Sequence, residues 1–273
     1  MLAWAKPAHA ETYNTCAGFI TSVPAVITTQ GTWCLKQDLS TAMTTGSAIT
    51  INANNVTIDC NDYKLGDLAA GLGTATAGIY AANRLNLTVR HCNIRGFLRG
   101  VFFTGSNGGG FAIEDNRFDG NTSFGLQVEG DGSVIQRNRV FDTGGANFLS
   151  EAYGMYTTGS VEILDNTVSG VVATSGTNGN AYGIYADTNP ESSISGNRVL
   201  RLVKAGTGAT RGIYSLGSDH IAMHNNDVFG DSSANSIGLR CTSSSGSAKD
   251  NVVSGFLAGI SNCSNDGGNA VHP

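Results

Sequence analysis

The sequence is poor in charge and in proline. Charged residues make up 14% of its 273 residues, against roughly 25% in an average soluble protein. Hydrophobic residues make up 40%, which excludes a disordered chain, since disorder needs low hydrophobicity and high net charge. Collagen is excluded because the 37 glycines follow no Gly-X-Y period. A coiled coil is disfavoured because lysine, glutamate and leucine do not dominate.

Long apolar runs and long basic runs are also missing. No stretch of 18 apolar residues occurs, so we expect no transmembrane helix. The net charge is −5 and basic residues form no long run. Since nucleic-acid binding depends on neutralising phosphates with basic groups, nucleic acid is not expected as a partner.

The first ten residues, MLAWAKPAHA, resemble the end of an export signal. Their apolar region is too short for a complete signal, but Ala8-His9-Ala10 has the small-x-small form of a cleavage site. We interpret residues 1–10 as a remnant of such a signal, followed by a single domain over residues 11–273. The alternative is an ordinary N-terminal tail. The expected location is periplasmic or extracellular.

The six cysteines support export. No Cys-x-x-Cys pair occurs, which argues against zinc and thioredoxin-type chemistry. An even number is typical of disulfides in an oxidising compartment, although six cysteines allow 15 connectivities. The cysteines are Cys16, Cys34, Cys60, Cys92, Cys241 and Cys263.

An internal repeat dominates the rest of the chain. The pattern apolar-x-x-Asn-x-apolar recurs eight times, at spacings from 22 residues (116 to 138) to 31 residues (61 to 92). Its fourth position is occupied by Asn61, Cys92, Asn116, Asn138, Asn166, Asn197, Asn226 and Asn251. A second column, glycine followed by an apolar residue, runs in phase with it at Gly78, Gly100, Gly125, Gly154, Gly183, Gly212, Gly238 and Gly259.

This repeat predicts an all-β fold, a parallel β-helix of roughly ten coils. Periods of this length indicate a solenoid, and the short, alternating, Val- and Ile-rich runs indicate strands. Inward asparagines in successive coils can form a hydrogen-bond ladder. Glycine permits positive φ or close backbone approach at a bend. Both columns are therefore interpreted as structural.

The coil spacing favours one set of disulfides. Cysteines lie about one coil apart in three pairs, and neighbouring coils bring Cα atoms within bridging range. We predict Cys16–Cys34, Cys60–Cys92 and Cys241–Cys263. The sequence shows no amphipathic helix that would cap the first or the last coil. The terminal coils could therefore pair with another copy, and end-to-end or homo-oligomeric association is a possible form of this protein.

Strand alternation predicts an exposed aromatic strip. The residue after each column glycine should point inward and the next one outward. Aromatic rings suit the C–H faces of sugars, so this column is our candidate for substrate binding. The alternative is that the rings only stack on each other. The column reads Tyr80, Phe102, Gln127, Tyr156, Tyr185, Tyr214, Arg240 and Ser261, and Tyr153 and Tyr182 widen it.

A charged column beside the asparagines supplies the catalytic candidates. His91, Asp115, Arg137 and Asp165 should lie in vertical sequence, with Arg139 beside them. A uronate lyase would use Arg137 or Arg139 to neutralise a carboxylate, and His91 or an arginine held near a carboxylate as the base. A hydrolase would use two carboxylates, such as Asp115 with Asp165 or Glu114. The alternative is a ladder of charges that pair across strands.

Metal sites are only weakly indicated, and no metal or other cofactor is predicted. His220, Met223 and His224 lie close in sequence, but a strand does not make three successive side chains converge. Acidic turns such as Glu129-Gly130-Asp131 leave Ca²⁺ open, because Ca²⁺ takes oxygen ligands. Simple turns account for the same residues.

The stretch NVTIDCNDYKL…NLTVRHCNIRGF resembles the pectate-lyase-like right-handed β-helix superfamily. It is more closely similar to exported NosD-like and parallel β-helix repeat proteins. The resemblance implies a right-handed parallel β-helix, but it does not specify a function, since members range from lyases and hydrolases to adhesins and tailspikes. The signature motifs of polygalacturonases, pectate lyases and mannuronan epimerases are absent from this sequence.

The leading expectation is therefore an exported protein that interacts with an extended polysaccharide along one sheet face. Polysaccharide lyase or glycoside hydrolase chemistry is left open. The alternative is a non-catalytic structural, adhesin or fibre-type protein of the cell envelope. If the protein is an enzyme, we expect the loops 143–150 and 173–180 to wall the charged column.

Overall fold

The computed structural model describes residues 15–217, 219–243 and 245–272, and the predicted signal remnant lies outside them. Over this part the chain winds into a parallel β-helix of three sheets, as the repeat predicts. We call the three sheets A, B and C and number the strands in chain order. After β1, the strands follow one another as ten triplets, and each triplet contributes one strand to sheet B, one to sheet A and one to sheet C. In this described part, no helix is long and apolar enough to cross a membrane.

In most coils the strand of sheet A ends just before the asparagine column. The strands of sheet A are β1 (Gly18–Ile20), β3 (Gly31–Leu35), β6 (Val56–Asp59), β9 (Leu87–Arg90), β12 (Ala112–Glu114), β15 (Ser133–Gln136), β18 (Val161–Leu164), β21 (Ser193–Ser195), β24 (Ala222–His224), β27 (Ser247–Lys249) and β30 (Ser264–Asn265).

Sheet C follows the asparagine column. Its strands are β4 (Leu39–Ser40), β7 (Lys64–Gly66), β10 (Asn93–Arg95), β13 (Arg117–Asp119), β16 (Arg139–Gly144), β19 (Thr167–Val172), β22 (Arg198–Val203), β25 (Asp227–Phe229), β28 (Val252–Ser254) and β31 (Ala270–His272). A 3-10 helix, Leu68–Gly73, follows β7.

Sheet B carries the glycine column. Its strands are β2 (Ala25–Ile27), β5 (Ser47–Ile51), β8 (Ala77–Ala82), β11 (Arg99–Thr104), β14 (Phe124–Glu129), β17 (Ala152–Thr158), β20 (Ala181–Asp187), β23 (Thr210–Leu216), β26 (Ser236–Cys241) and β29 (Ala258–Ser261).

Neighbouring coils are in register, so equivalent residues stack. Ile163 of sheet A lies opposite Ile135 on one side and Ile194 on the other, and all three are buried. The inward residues form one continuous hydrophobic core from Ile20 to Phe256. In-register stacking also lines up the outward side chains, which gives each sheet face vertical columns of side chains.

The asparagine column forms a buried ladder. The Nδ2 of Asn166 donates to Oδ1 of Asn197 at 3.0 Å and to the carbonyl of Ile135 at 2.9 Å. The same pattern runs from Asn116 to Asn251 and continues to Asn269, whose Oδ1 accepts from Asn251 at 2.9 Å. The ladder satisfies backbone carbonyls that the turn would otherwise leave buried and unpaired.

The prediction is wrong for one member of the asparagine column, Asn61. Between Asp59 and Lys64 the turn has four residues, whereas the next coil has two at the same place. Asn61 is therefore displaced from the ladder, and its Nδ2 donates to the carbonyl of Leu35 instead. The buried Cys60 faces Cys92 there, and the backbone N–H of Cys92 donates to Asn116 Oδ1 at 3.0 Å.

The glycine column reflects close approach of the backbone. A Cβ on Gly183 would lie 2.5 Å from the carbonyl oxygen of Gly212 in the next coil and would also meet a methyl group of Val199. Gly154 has a similar environment against Gly183. The sequence offered two explanations for the glycine column, positive φ and close backbone approach. None of the column glycines has a positive φ, so the glycines are needed because the packing leaves no room for a side chain.

All three predicted disulfides are confirmed. Their Cα–Cα separations are 5.9 Å for Cys16–Cys34, 4.7 Å for Cys60–Cys92 and 4.9 Å for Cys241–Cys263. Each pair joins adjacent coils, because equivalent positions of successive coils are only about 4.8 Å apart.

Candidate functional site

The outward face of sheet B carries two columns of aromatic side chains. In β17 and β20 the segment Tyr-Gly-apolar-Tyr turns its two middle residues inward, so the tyrosines on both sides emerge on the same face. The first column stacks residues that precede the glycine, and the second stacks residues that follow it by two. We call the following six residues the aromatic face: Phe124, Tyr153, Tyr182, Tyr156, Tyr185 and Tyr214.

The rings of the aromatic face are packed against each other. Tyr153 is stacked on Phe124 at a centroid distance of 4.8 Å and on Tyr182 at 4.9 Å, with both interplanar angles at 5°. In the second column Tyr156 is stacked on Tyr185 at 5.2 Å. The two columns meet edge to face, as between Tyr182 and Tyr185. This alternation of stacked and edge contacts holds the rings in fixed positions.

The second column continues beyond the aromatic face in both directions. Tyr80 and Phe102 have ring centroids 5.5 Å apart in the preceding coils. Arg240 follows Tyr214, with its guanidinium carbon 5.4 Å from that ring centroid. All the residues predicted to bind substrate, Tyr80 included, therefore lie on one sheet face and are half-buried.

Carboxylates border the aromatic face. Tyr156 donates its hydroxyl to Asp187 Oδ2 at 3.1 Å, and Tyr153 donates to Glu151. Glu129 accepts from the Gln127 amide at 2.7 Å. Each carboxylate oxygen has more than one lone pair, so these groups can accept further hydrogen bonds from a ligand.

Burial moves the titration of the tyrosine hydroxyls to higher pH. It raises the pKa of Tyr156 to about 12 and that of Tyr182 to about 12, with the nearby carboxylates Asp187 and Glu151 respectively adding to the effect. Burial likewise raises the pKa of Tyr153 and of Tyr185 above the usual range. The face therefore presents neutral rings with hydroxyl donors at neutral pH.

The long loops lie beside the aromatic face. A shallow depression of about 190 Å³ is lined by Phe124, Leu149, Ser150, Glu151 and Tyr153. The expectation that the loops 143–150 and 173–180 wall the charged column is wrong. Both connect sheet C to sheet B, whereas the charged column lies at the corner between sheets A and C.

Each residue of the charged column lies in a turn and has the left-handed backbone conformation. His91, Asp115, Arg137 and Asp165 occupy equivalent positions between sheets A and C, and their φ angles lie between 50° and 55°. Gly196, with φ at 68°, takes this position in the next coil. Aspartate, asparagine and glycine tolerate this conformation best, so the turn itself accounts for much of the column's composition.

Ion pairs occupy the centre of this column. Arg137 donates from Nε and Nη2 to the two oxygens of Asp115, at 2.9 and 2.8 Å, and from Nη2 to Glu114 at 3.2 Å. The hydrogen bonds from Arg137 hold the pKa of Asp115 below its usual range and raise that of Arg137. Asp115 is therefore held as a carboxylate and does not suit the role of a general acid.

The other catalytic candidates lie close to this pair. His91 Nδ1 is 3.5 Å from Asp59 Oδ1. Arg139 is exposed on sheet C, with its guanidinium carbon 5.4 Å from the ring centroid of Phe141. The exposed Asp165 lies two coils from Asp115, which corresponds to about 9–10 Å.

Three residues that contribute to the aromatic face were missed from the sequence. Phe124 precedes Gly125 as Tyr153 precedes Gly154, so alignment of the repeats on the glycine would have found it. Arg99 lies 4.8 Å above the Phe124 ring centroid, and its contact spans two coils. Glu151 is supplied by a loop outside the repeat, for which the repeat gives no signal.

The described part of the chain contains no group of three His, Cys, Asp or Glu side chains placed to hold a metal ion. His224 instead contacts two serine hydroxyls of the neighbouring strand, Ser193 and Ser195, each at 3.1 Å. Glu129 and Asp131, the acidic turn considered for Ca²⁺, line a depression of about 330 Å³.

Comparison with known families agrees with the architecture. The model of the family "Right handed beta helix region" matches residues 39–199 and, overlapping them, residues 99–272. The chain belongs to the right-handed β-helix family. This membership confirms the predicted fold class, including its handedness. A comparison with curated proteins gives no match.

Two solved structures are similar to this chain at 12% sequence identity. The Dettilon tailspike protein aligns with a TM-score of 0.46 over 89% of this chain and 60% of its own. An alginate lyase from Paenibacillus sp. str. FPU-7 aligns with a TM-score of 0.43 over 89% of this chain and 91% of its own. The chain thus spans 60% of the tailspike's length.

Proposed function

We propose that this protein binds an extended polysaccharide along the aromatic face of sheet B. The observation that carries the proposal is the pair of parallel stacked columns, which presents an ordered row of ring edges and hydroxyl groups across adjacent coils. Sugar C–H groups can pack against this row of ring edges, while tyrosine hydroxyls and nearby carboxylates supply polar partners. The rings are held by each other, so binding loses little side-chain entropy.

The dimensions of the face suit a long ligand. From Tyr80 to Arg240 the second column takes six coil steps, a length of about 29 Å. A groove for a single small sugar would need a closed pocket, whereas this surface is open along the helix axis. The binding mode is therefore a chain that runs across several coils.

The charge on the face favours uncharged sugar units over the tyrosines. Glu129, Glu151 and Asp187 border the rings and accept hydrogen bonds. Sugar hydroxyls donate to such carboxylates, and these bonds are strengthened by the charge. A polymer with a carboxylate on every unit would place like charges beside the three acids.

Catalysis at the charged column is a separate proposal with less geometric support. Arg137 is already bound to Asp115 through two hydrogen bonds, and would have to leave that pair to neutralise a substrate carboxylate.

The three disulfides support a proposed location outside the cytoplasm, since such bonds persist in oxidising compartments.

The test is a glycan array followed by calorimetry with the disulfide-bonded protein. We expect binding to at least one neutral polysaccharide and a loss of about tenfold or more in affinity in Tyr185→Ala, because one ring contact is removed. Tyr185→Phe should retain most of the affinity. Phe141→Ala removes an outward aromatic ring from sheet C and serves as the matched control.

Two results would overturn the proposal. One is the absence of binding to every polysaccharide on the array. The other is an equal loss of affinity in Tyr185→Ala and Phe141→Ala, which would place the ligand elsewhere. Following unsaturated uronides and reducing ends in the same samples tests catalysis, and a signal that is lost in Arg137→Gln would establish the charged column as an active site.

A further inference from the structure

Two arginines without acidic partners lie at the C-terminal end of the aromatic face. Arg211 belongs to β23 and Arg240 to β26. Arg240 lies over the ring of Tyr214, and its Nε is buried with no hydrogen-bond partner among the described residues. Within those residues, the ion pairs found elsewhere in the molecule include neither arginine.

Arg211 is held in place by neutral groups. Its Nη1 donates to the carbonyl of Thr210 at 3.0 Å and to the carbonyl of Asn235. Burial lowers the pKa of Arg211, and the positive charge of Arg240 lowers it further. Two like charges are thus kept near each other on a half-buried surface, which is unfavourable unless an anion joins them.

The N-terminal end of the aromatic face also carries an arginine, Arg99, but its partners differ from those of Arg211 and Arg240. Arg99 also lies over aromatic rings, 4.7 Å from Phe102 and 4.8 Å from Phe124. Its Nε donates to Gln127 Oε1 at 2.6 Å, and the charge of Glu129 acts on it favourably. Burial lowers the pKa of Arg99 as it does that of Arg211, but Arg99 has a nearby carboxylate that acts in the opposite direction, whereas Arg211 faces the positive charge of Arg240.

We infer that Arg211 and Arg240 form an anion-binding subsite that takes an acidic group of the polysaccharide. The shared chemistry is an oxyanion, carried as a carboxylate or as a sulfate or phosphate ester, that accepts hydrogen bonds from guanidinium groups. The inference rests on the proposed function. The inference adds to the proposed function by specifying the glycan: its uncharged units lie on the tyrosines and its acidic group lies beyond Tyr214.

The first experiment needs no polysaccharide. The side-chain Nε–Hε signals of the arginines are followed by NMR while glucuronate, inorganic sulfate or inorganic phosphate is added. We expect a saturable shift at Arg240 with at least one anion, and its loss in Arg240→Gln. Arg198 is the matched control, since it lies 5.7 Å from the Phe229 ring centroid on sheet C. Equal shifts at Arg198 and Arg240, or none, would overturn the subsite.

The three anions distinguish the sources of the charge. A preference for glucuronate identifies a carboxylate, while a preference for sulfate or phosphate identifies an ester. Because the readout is Arg240 itself, a failure of this titration is separate from a failure of the aromatic face to bind glycan.

The second experiment compares paired oligosaccharides that differ by one acidic group. We expect the acidic form to bind about tenfold more tightly than the neutral form, the size expected of one charge-assisted pair. In Arg240→Gln the ratio should fall to about one, because the two forms differ only in the acidic group that the guanidinium would bind. A ratio that is unchanged in Arg240→Gln, or equal to one in the unmodified protein, would overturn the inference.

Discussion

The ring of Tyr153 lies parallel to the ring of Tyr182, with centroids 4.9 Å apart and planes inclined by 5°. This distance is close to the spacing of adjacent strands in a sheet, about 4.8 Å. The β-helix therefore sets the stacking distance without any adjustment of the side chains. A column of tyrosines at equivalent positions becomes an ordered aromatic surface because the backbone beneath it repeats.

The same packing predicts an unusual alkaline titration. The pKa of Tyr156 and that of Tyr182 are each raised to about 12, against an ordinary value of about 10. A raised pKa in the folded state contributes stability that is present below pH 10. That stability is lost as the pH rises from 10 through 12. We expect the free energy of unfolding to decrease over this window, as measured by denaturant unfolding at stepped pH.

A single variant separates the two tyrosines. Asp187 accepts the hydrogen bond of Tyr156 and adds to its pKa shift, whereas Glu151 acts on Tyr182. Asp187→Asn should therefore lower the pKa of Tyr156 and leave that of Tyr182 near 12. NMR of labelled tyrosine ring carbons measures both values. Equal changes at the two residues would contradict the local origin of the shifts.

Much of the fold follows from the sequence because the repeat encodes it directly. Ladder residues such as Asn166 and close-approach residues such as Gly183 recur in phase, and a parallel β-helix satisfies both needs. The disulfides follow as well, since coil spacing leaves few compatible partners for Cys60. The outward direction of Tyr185 needed only the alternation of a strand.

The parts that were missed depend on departures from the repeat. Asn61 leaves the ladder because its turn is two residues longer than the next one. Glu151 reaches the aromatic face from a connecting loop whose path no periodic pattern describes. The closure of Arg137 on Asp115 depends on side-chain geometry across coils, which spacing alone does not define.

The pair Asp115–Arg137 predicts a local pH effect. Hydrogen bonds from Arg137 hold the pKa of Asp115 below its usual value, so the pair contributes stability above about pH 3.9. That contribution is lost as the pH falls through the folded-state pKa of Asp115. Arg137→Gln should raise this pKa, which NMR of the carboxyl carbon measures. Asp38, whose pKa is lowered mainly by the backbone N–H of Lys64, should not change.

The glycine column predicts a large cost for one added methyl group. In Gly183→Ala the new Cβ would lie 2.5 Å from the Gly212 carbonyl oxygen, so we expect a loss of about 3 kcal/mol in unfolding free energy. Gly120→Ala is the control, because φ is 64° there and no atom lies within 4 Å of the added Cβ. Its cost should be about 1 kcal/mol from the backbone conformation alone. Similar losses in both variants would show that close approach is not the reason for the column.

The asparagine ladder predicts a dependence on position. Asn166→Ala would remove the side-chain acceptor of the buried Asn138 backbone N–H and the side-chain donor to the Ile135 carbonyl, and we expect a loss of about 4 kcal/mol, since each such group costs about 1–3 kcal/mol. At the end of the ladder, Asn269 is only partly buried and water can replace its amide. Asn269→Ala should therefore cost about 1 kcal/mol. Denaturant unfolding compares the two variants, and equal losses would mean that the ladder stabilises the coils through packing instead of through buried hydrogen bonds.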